Sequence, residues 1–499
     1  MAILDTTVVD VVIPKMMGPL STDLYGVQWV ITSYMIAAAV GLLLTHNLGR
    51  LIGLKWLFLT GLLLFTISST LCALAGSLAE MITWRVTQGL GEAFIMASAQ
   101  TILFAIYPKE KQGLAMGIFA MGVSFAPSIG PTVGGWITEH LSWRWIFYIN
   151  VPVGVLNFVA GTLYLPQVSK GGGRFRFNFV SYLFLGTFTV LTLVVLSKGQ
   201  QWGWTQSTEI VVMGGVALMA LLLYLISELN SKVPLIDFSI FKVKEYTLSM
   251  GFYFLIMGLS IYQVFYLLPL YYENLKGLTT FDTGLHMLSF AIFIAILSPG
   301  AGILSDRFGP PKVVVASTTL YLFTTFFLIP SLNYYTPSVR AALITIPLGI
   351  ALGSFFAPVS AMALGPLGPK TDLGVSLMHY LRFLGGSIGT AVATNTLEMK
   401  TAIHFEGIGA IQSHHIGGAF MDTAGWLLLP FMPQGLAEIR GRGLLTWAQY
   451  IHSLSSGFQD TFRESFKFAA LGSIFLFLLI WVSKKSPTVI TPHNNTSRD

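Results

Sequence analysis

The spacing of its apolar runs restricts this chain more than any other feature. Stretches of about 20 residues recur near 1–20, 28–48, 54–76, 80–106, 113–138, 143–165, 178–198, 209–228, 246–272, 281–304, 312–332, 340–364, 373–399 and 463–483. Each is about long enough to cross a bilayer as one helix. Gly, Pro and charge clusters separate the runs, and Gly and Pro also occur inside them, as helices in lipid tolerate. Only 10% of the 499 residues are charged and the mean hydropathy is +0.71, where a soluble domain carries roughly 25% charged residues. The chain therefore reads as an all-α membrane protein with about fourteen spans. Only about 14 residues precede Lys15, fewer than the ~20 that a span needs, so the first run reads as a helix whose start is missing.

The net charge of +6 comes from basic residues scattered over short loops, which fits membrane topology and not a nucleic-acid surface. Arg50, Lys55, Lys109, Lys111, Lys170, Arg174, Arg176, Lys232, Lys242, Lys244, Arg307, Lys312 and Lys370 fall in one set of alternate loops. The opposite set offers little beyond Lys15, Lys198, Lys276 and Arg340. This bias places the first set and both termini in the cytoplasm, with the chain multi-pass in the inner (plasma) membrane. The single cysteine, Cys72, excludes an intramolecular disulfide.

Two loops read as copies of each other, LGRLIGLK (Leu48–Lys55) and GILSDRFGPPK (Gly302–Lys312). The repeat gives a six-helix bundle over 1–166, a second over 241–483, and a basic linker with two inserted helices over 167–240. Residues 484–499 form a tail, and 401–461 a long outside loop. That loop holds GWLLLPFMP (Gly425–Pro433), too short to span. It reads either as a hairpin folded on the helix tops or dipping into the interface, or as a docking surface for an outside partner.

Within the fifth run, Gly122, Ala126, Gly130 and Gly134 recur every fourth residue and form one bare ridge, with Gly135 beside it. Such a ridge admits a second helix at close range. Pro127 and Pro131 remove backbone donors and bend the helix there. The expectation is a seam on which two halves rock. Gly385, Gly386 and Gly389 give the thirteenth run a matching face.

Charges inside spans cost ~2.5–3.5 kcal/mol each on insertion scales and are functional candidates. They are Asp5 and Asp10 in the first run, Arg85 and Glu92 with Gln88 in the fourth, and Arg382 with His379 in the thirteenth. At 1.5 Å per residue, Asp10 lies ~6 Å, Arg85 ~7 Å and Asp5 ~13 Å below the same surface. Arg85 is thus expected to meet Asp10, leaving Asp5 near the midplane as a proton carrier. The plainer readings are a static Asp10–Arg85 pair, and hydrogen-bonded structural roles for Glu92 and His379. Tyr34, Tyr253, Tyr262 and Tyr266, with Gln88 and His379, are candidates to line a cavity for a planar, apolar or cationic ligand, against the alternative that the rings face lipid or pack. The chain has no HExxH, no Cys/His metal spacing and no phosphate-binding loop, and the adjacent His414–His415 make a poor metal site. No metal or cofactor is expected, so energy must come from an ion gradient.

Six segments carry a resemblance. They are LDTTVVDVVIP (Leu4–Pro14), RVTQGLGEA (Arg85–Ala93), GVSFAPSIGPTVGG (Gly122–Gly135), GILSDRFGPPK, FYLLPLYYENL (Phe265–Leu275) and LRFLGGSIGTA (Leu381–Ala391). In this order the chain resembles the major facilitator superfamily, in its fourteen-helix drug:proton antiporter branch, most like the EmrB/QacA group. The resemblance implies two pseudo-symmetric six-helix bundles plus two inserted helices, and proton-coupled efflux of lipophilic or cationic small molecules by alternating access. The in-span charges Asp5, Asp10, Arg85, Glu92 and Arg382 are the candidates for proton coupling, and the resemblance gives Gly122–Gly135 to the antiporter motif. Gly302, Asp306, Arg307, Gly309 and Lys312 carry the loop motif. A periplasmic adaptor protein and an outer-membrane channel are candidate partners. Two departures stand out: Arg50 where the first loop motif usually has aspartate, and Asp10 where the first helix usually has asparagine. A dedicated exporter or importer of one metabolite, lipid or siderophore is the rival within this fold. A non-transporting receptor or membrane enzyme is the rival outside it.

Overall fold

The structure, a computed structural model, describes residues 1–168, 177–411 and 434–485. The basic linker around Gly171–Gly173, the GWLLLPFMP run, His414–His415 and the tail beyond 485 lie outside the described residues, as do the side chains of Asp10, Pro127 and Pro131.

Among the described residues the chain forms fourteen helical rods and no strand. They are α1 (Ala2–Met16), α2 (Trp29–Ile52), α3 (Leu54–Leu74), α4 (Leu78–Ile106), α5 (Gln112–His140), α6 (Trp145–Tyr164) and α7 (Phe179–Trp202). There follow α8 (Thr208–Asn230), α9 (Lys244–Leu275), α10 (Thr280–Phe308), α11 (Pro310–Ser331), α12 (338–364), α13 (Thr371–Ile411) and α14 (Gln434–Lys485). Eleven continuous stretches are long and apolar enough to cross a membrane, and one of these, Ser338–Gly409, contains both α12 and α13. The apolar runs thus map onto the rods. At 15 residues, α1 is ~22 Å long, short of the ~30 Å hydrocarbon core.

One expectation fails at the end of the chain. Residues 401–411 continue α13, and 434–461 are the first half of the 52-residue α14. The segment read as a loop is helical in these parts, because a run of apolar residues marks only the stretch in lipid. Charged helix formers such as Glu406 and Arg440 let both helices continue beyond it.

Helices α1–α6 pack among themselves, as do α9–α14, and α5 against α10 and α2 against α13 join the two groups. The repeat is visible in the backbone. Gly53 and Gly309 each end a helix with φ +88° and ψ near +145° (150° and 139°), a conformation that side-chain-bearing residues rarely adopt. Each donates its N–H to the carbonyl four residues back, Gly49 at 2.9 Å and Ser305 at 3.0 Å. The end of the bundle that carries these two loops is called the motif end below, and the opposite one the far end.

The glycine ridges repeat the symmetry, but their task differs from the expected one. Gly130 and Gly134 of α5 lie against Thr7 and Val8 of α1, and Gly385 and Gly389 of α13 lie against Gly258 and Leu259 of α9. Both ridges therefore close contacts inside one half. Gly122 is exposed, and among the described residues no heavy atom lies within 4 Å of where its Cβ would be. The seam between halves uses the neighbouring stripe of α5, where Gly113, Gly117, Thr132 and Gly135 meet Gly302, Ser298, Gly284 and Phe281 of α10. Of the motif glycines, Gly135 belongs to this seam.

The inserted pair α7–α8 leans on the other side, where α7 packs on both α2 and α13. Ser197 of α7 shares a 3.0 Å hydrogen bond with Thr32 of α2, and Thr189 one of 2.8 Å with Tyr380 of α13. Lys198, expected in a loop, is instead 2% exposed at the end of α7 and donates to Gln28 and Gln201.

Between α8 and α9, Asp237 pairs with Lys370 at 2.6 Å, which holds its carboxyl down at about 2. Because the folded value is depressed, this contribution is complete above the unfolded value of ~4 and is lost as the pH falls through about 2. Both partners are nearly half exposed, so the pair contributes about 1 kcal/mol or less. Asp237→Asn is expected to leave the melting temperature nearly unchanged between pH 5 and 8.

Candidate functional site

The stripe Asp5, Val8, Val9, Val12 and Met16 is the buried face of α1. It carries one carboxylate into the N-terminal bundle. On α4, Arg85, Gln88 and Glu92 stand at i, i+3 and i+7 and share one face, all at most 1% exposed. Arg85 Nη1 donates to Asp5 Oδ2 at 2.5 Å, and neither side chain touches solvent. Asp5 Oδ1 accepts from Gln88 Nε2 at 3.1 Å and from Asn150 Nδ2 of α6 at 2.6 Å. Arg85 Nε donates to the Val30 carbonyl at 3.0 Å, and its guanidinium lies 4.0 Å over the Tyr34 ring. Asn150 also donates to Ser69 Oγ at 3.1 Å. Four helices and the start of α2 are thus tied to one carboxylate.

Arg85 therefore pairs with Asp5, which depth had placed beyond its reach; the side chain of Asp10, its expected partner, lies outside the described residues. Depth along the axis is one coordinate of a helical residue, and the direction it faces is the other. Asp5 shares the buried face of Val8, Val9 and Val12, and that face brings it to Arg85. Gln88 is engaged with Asp5 and Arg85, and Tyr34 lies beneath the guanidinium, so both serve this network before any ligand. Asn150 and Ser69 were not singled out from the sequence. A polar residue near the start of the sixth apolar run was their only signal.

A second polar group lies between the halves. Glu92 of α4 and Arg382 of α13 are fully buried and act on each other electrostatically. No ion pair closes between them among the described residues. Glu92 Oε2, Arg382 Nε, both ring nitrogens of His379, the Tyr253 hydroxyl and the Gln263 amide have no hydrogen-bond partner there. Tyr34 stands between the two groups, since its hydroxyl also faces Glu92. Below them, Phe119 of α5 reaches across to Phe356 of α12 and His379 of α13, with ring centroids 6.1 and 6.0 Å apart. Buried polar atoms without partners are costly, about 1–3 kcal/mol each, and mark a place built for something else.

The loop motif closes the motif end. Asp306 of α10 accepts from the backbone N–H of Gly113 at 2.7 Å and of Leu114 at 2.9 Å, in the first turn of α5. A carboxylate there satisfies two free donors and the positive helix end. Arg307 stacks on Phe308, and Lys312 is exposed. In the other copy the charge is reversed. Arg50 stands in the motif, while the first turn of α13 supplies its own Asp372, which pairs with His46 of α2 at 2.8 Å. Beside it, Thr45 and Ser376 share a 2.7 Å hydrogen bond. Asp306→Asn is expected to weaken motif-end closure by about 1 kcal/mol, roughly fivefold in population. Faster labelling of a cysteine placed at exposed Lys111, relative to the parent background, measures it.

A sequence model of the Major Facilitator Superfamily matches residues 1–390. The chain belongs to this superfamily. The multidrug export protein EmrB of Haemophilus influenzae is 29% identical over 488 residues, covering 97% of this chain and 93% of that protein. The fatty acid resistance protein FarB of Neisseria gonorrhoeae is 30% identical, covering 81% and 80%. The riboflavin transporter RibZ of Clostridioides difficile is 28% identical, covering 78% and 84%. Among solved structures, the proton:xylose symporter XylE has the same fold, with a TM-score of 0.58 at 14% identity over 96% of this chain and 93% of that one. The human organic anion transporter MFSD10 matches equally, with a TM-score of 0.58 at 12% identity and 96% of each chain covered. The protein is a multi-pass membrane transporter of the major facilitator fold and not an enzyme.

Proposed function

We propose that the protein is a proton-driven exporter of lipophilic or cationic small molecules, working by alternating access with its motif end in the cytoplasm. The observation that carries this reading is the Asp5–Arg85 pair, two opposite charges in direct contact at full burial. When Asp5 takes a proton from outside, Arg85 keeps its charge and loses its counter-ion. Removing one partner of a buried pair is worth about 3–5 kcal/mol. That is of the size needed to move a two-state equilibrium by 10²-fold or more. Tyr34 and Glu92 next to Arg85, and Arg382 beyond them, give the displaced charge a path toward the interface of the halves. Release of the proton to the cytoplasm restores the pair. The positive-inside bias of the loops supports the orientation, and the export proteins among the relatives support the direction of transport. Asp10 remains a candidate second carboxylate.

A dedicated carrier of one anionic metabolite or fatty acid is the second reading. Arg382, buried with an unpartnered Nε, is the feature that favours it. Helices α13 and α14, continuing past the bilayer at the far end, support an outside adaptor as partner. The test is accumulation of a panel of lipophilic cations, neutral drugs and fatty acids in cells with and without the protein, at external pH 5.5, 7 and 8.5. Lower accumulation of cations that is strongest at acidic pH agrees with the proposal. A difference independent of pH, or confined to fatty acids, contradicts it.

A further inference from the structure

At the far end, α9, α13 and the outer part of α14 border an open cavity of about 600 Å³, separate from the buried charges described above. Its size is that of a drug-sized site. Tyr266 of α9 forms one wall, Tyr450 and Leu454 of α14 face it, and Glu398, Phe405 and Glu406 of α13 line the length between them. Among the described residues that line it there is no lysine, arginine or histidine. Glu398 accepts from Gln200 of α7, while Glu406 is exposed. Eight residues separate the two glutamates, about 12 Å along the helix. That spans a ligand of two or three rings.

The cavity at the motif end has the opposite character. It measures about 1040 Å³ and is lined by Arg50, Lys109 and Lys232, with Asp237 paired to Lys370 and Asp372 to His46. The two ends of the bundle therefore differ in the sign of charge that they offer. Aromatic faces attract cations through their quadrupole, and carboxylates at the rim supply the long-range pull. Tyr266, a candidate from the sequence to line a ligand cavity, lines this one.

We propose that the far-end cavity is a binding site for lipophilic organic cations, held by Glu398 and Glu406 against the rings of Tyr266, Phe405 and Tyr450. It would receive the ligand after it leaves the interface of the halves. The site deepens the export reading, and as an exit site it rests on that reading. As a cation site it stands by itself.

The test is equilibrium binding of radiolabelled tetraphenylphosphonium to the purified full-length protein, with tetraphenylborate as a probe of the same shape and opposite charge. In Glu398→Gln/Glu406→Gln, tetraphenylphosphonium binding at one class of site is expected to weaken about tenfold or more, while tetraphenylborate binding does not weaken. Thermal unfolding checks that the double variant is folded. If it is not, Glu406→Gln alone, at an exposed side chain, is expected to weaken binding severalfold. Glu406→Asp is expected to retain most of it. Unchanged isotherms for both cation and anion in the folded variants overturn the site. If wild-type cells export cations and the isotherms are unchanged, the site fails and the export reading stands. If cells export no cations but the variants lose cation binding, the reverse holds.

Discussion

Asp5→Asn is expected to stop gradient-driven export while the protein still reaches the membrane. The carboxylate meets three donors, from Arg85, Gln88 and Asn150. Asparagine presents one oxygen and one NH₂ to them, so one contact becomes donor against donor. The buried guanidinium also loses its counter-ion. The unsatisfied contact alone accounts for about 1–3 kcal/mol, and with the lost counter-ion the total approaches about 3–5 kcal/mol. Asp5→Ala, which removes all acceptors, is expected to cost about 3–5 kcal/mol. Function suffers more than stability, because a side chain that cannot bind and release a proton cannot couple the gradient at all. Asp5→Glu keeps the titratable group and is expected to retain part of the activity. Efflux rates in energised cells, with membrane levels measured in parallel, check all three. Wild-type efflux by Asp5→Asn would show that the proton travels elsewhere.

The second large effect is expected at Gly302, where a Cβ would collide with the carbonyl of Gly113 and crowd Leu114. Both obstacles are backbone and cannot rotate away. Overpacking within one rigid core costs about 1–3 kcal/mol, but here the clash lies between two bodies that are free to part. Gly302→Val is therefore expected to separate the motif ends and to break the Asp306 contacts with α5. Transport is expected to be lost because the closed state is no longer reached, with the protein still folded. Spin labels on the exposed ends of α5 and α10–α11, at Lys111→Cys and Lys312→Cys, are expected to move apart in this variant. An unchanged distance with transport lost would mean that the contact acts in some other way. Gly122→Val is the contrast, since its Cβ enters open space and the labels should not respond.

Much of this arrangement was legible in the chain because lipid imposes a simple rule. A backbone in oil must be helical, so the apolar runs gave the rods directly. The two loops identified the repeat because a turn with φ near +88° needs glycine, and Gly53 and Gly309 stand at matching places. Three things were less legible. The Asp5–Arg85 pair was missed by reasoning from depth alone, although Val8, Val9 and Val12 mark the face that Asp5 shares. The ridge Gly122–Gly134 declares a close helix contact but not which helix makes it. That partner was α1 within the half, while the seam to α10 uses the stripe beside it. The outer parts of α13 and α14 escaped because a polar helix outside the bilayer has no hydropathy signal. Glu92, His379 and Arg382 were found from sequence as charges in spans. Their convergence across the halves follows only from the packing of α4 and α13.

The account stands on one buried acid changing its charge during each transport cycle. Purified protein in liposomes loaded with a pH-sensitive dye, given tetraphenylphosphonium on the side that faces the motif end, tests this most directly. Proton movement opposite to the cation, present in the wild type and absent in Asp5→Asn, is the predicted result. Cation movement without any proton movement, or equal proton movement in the variant, would contradict it.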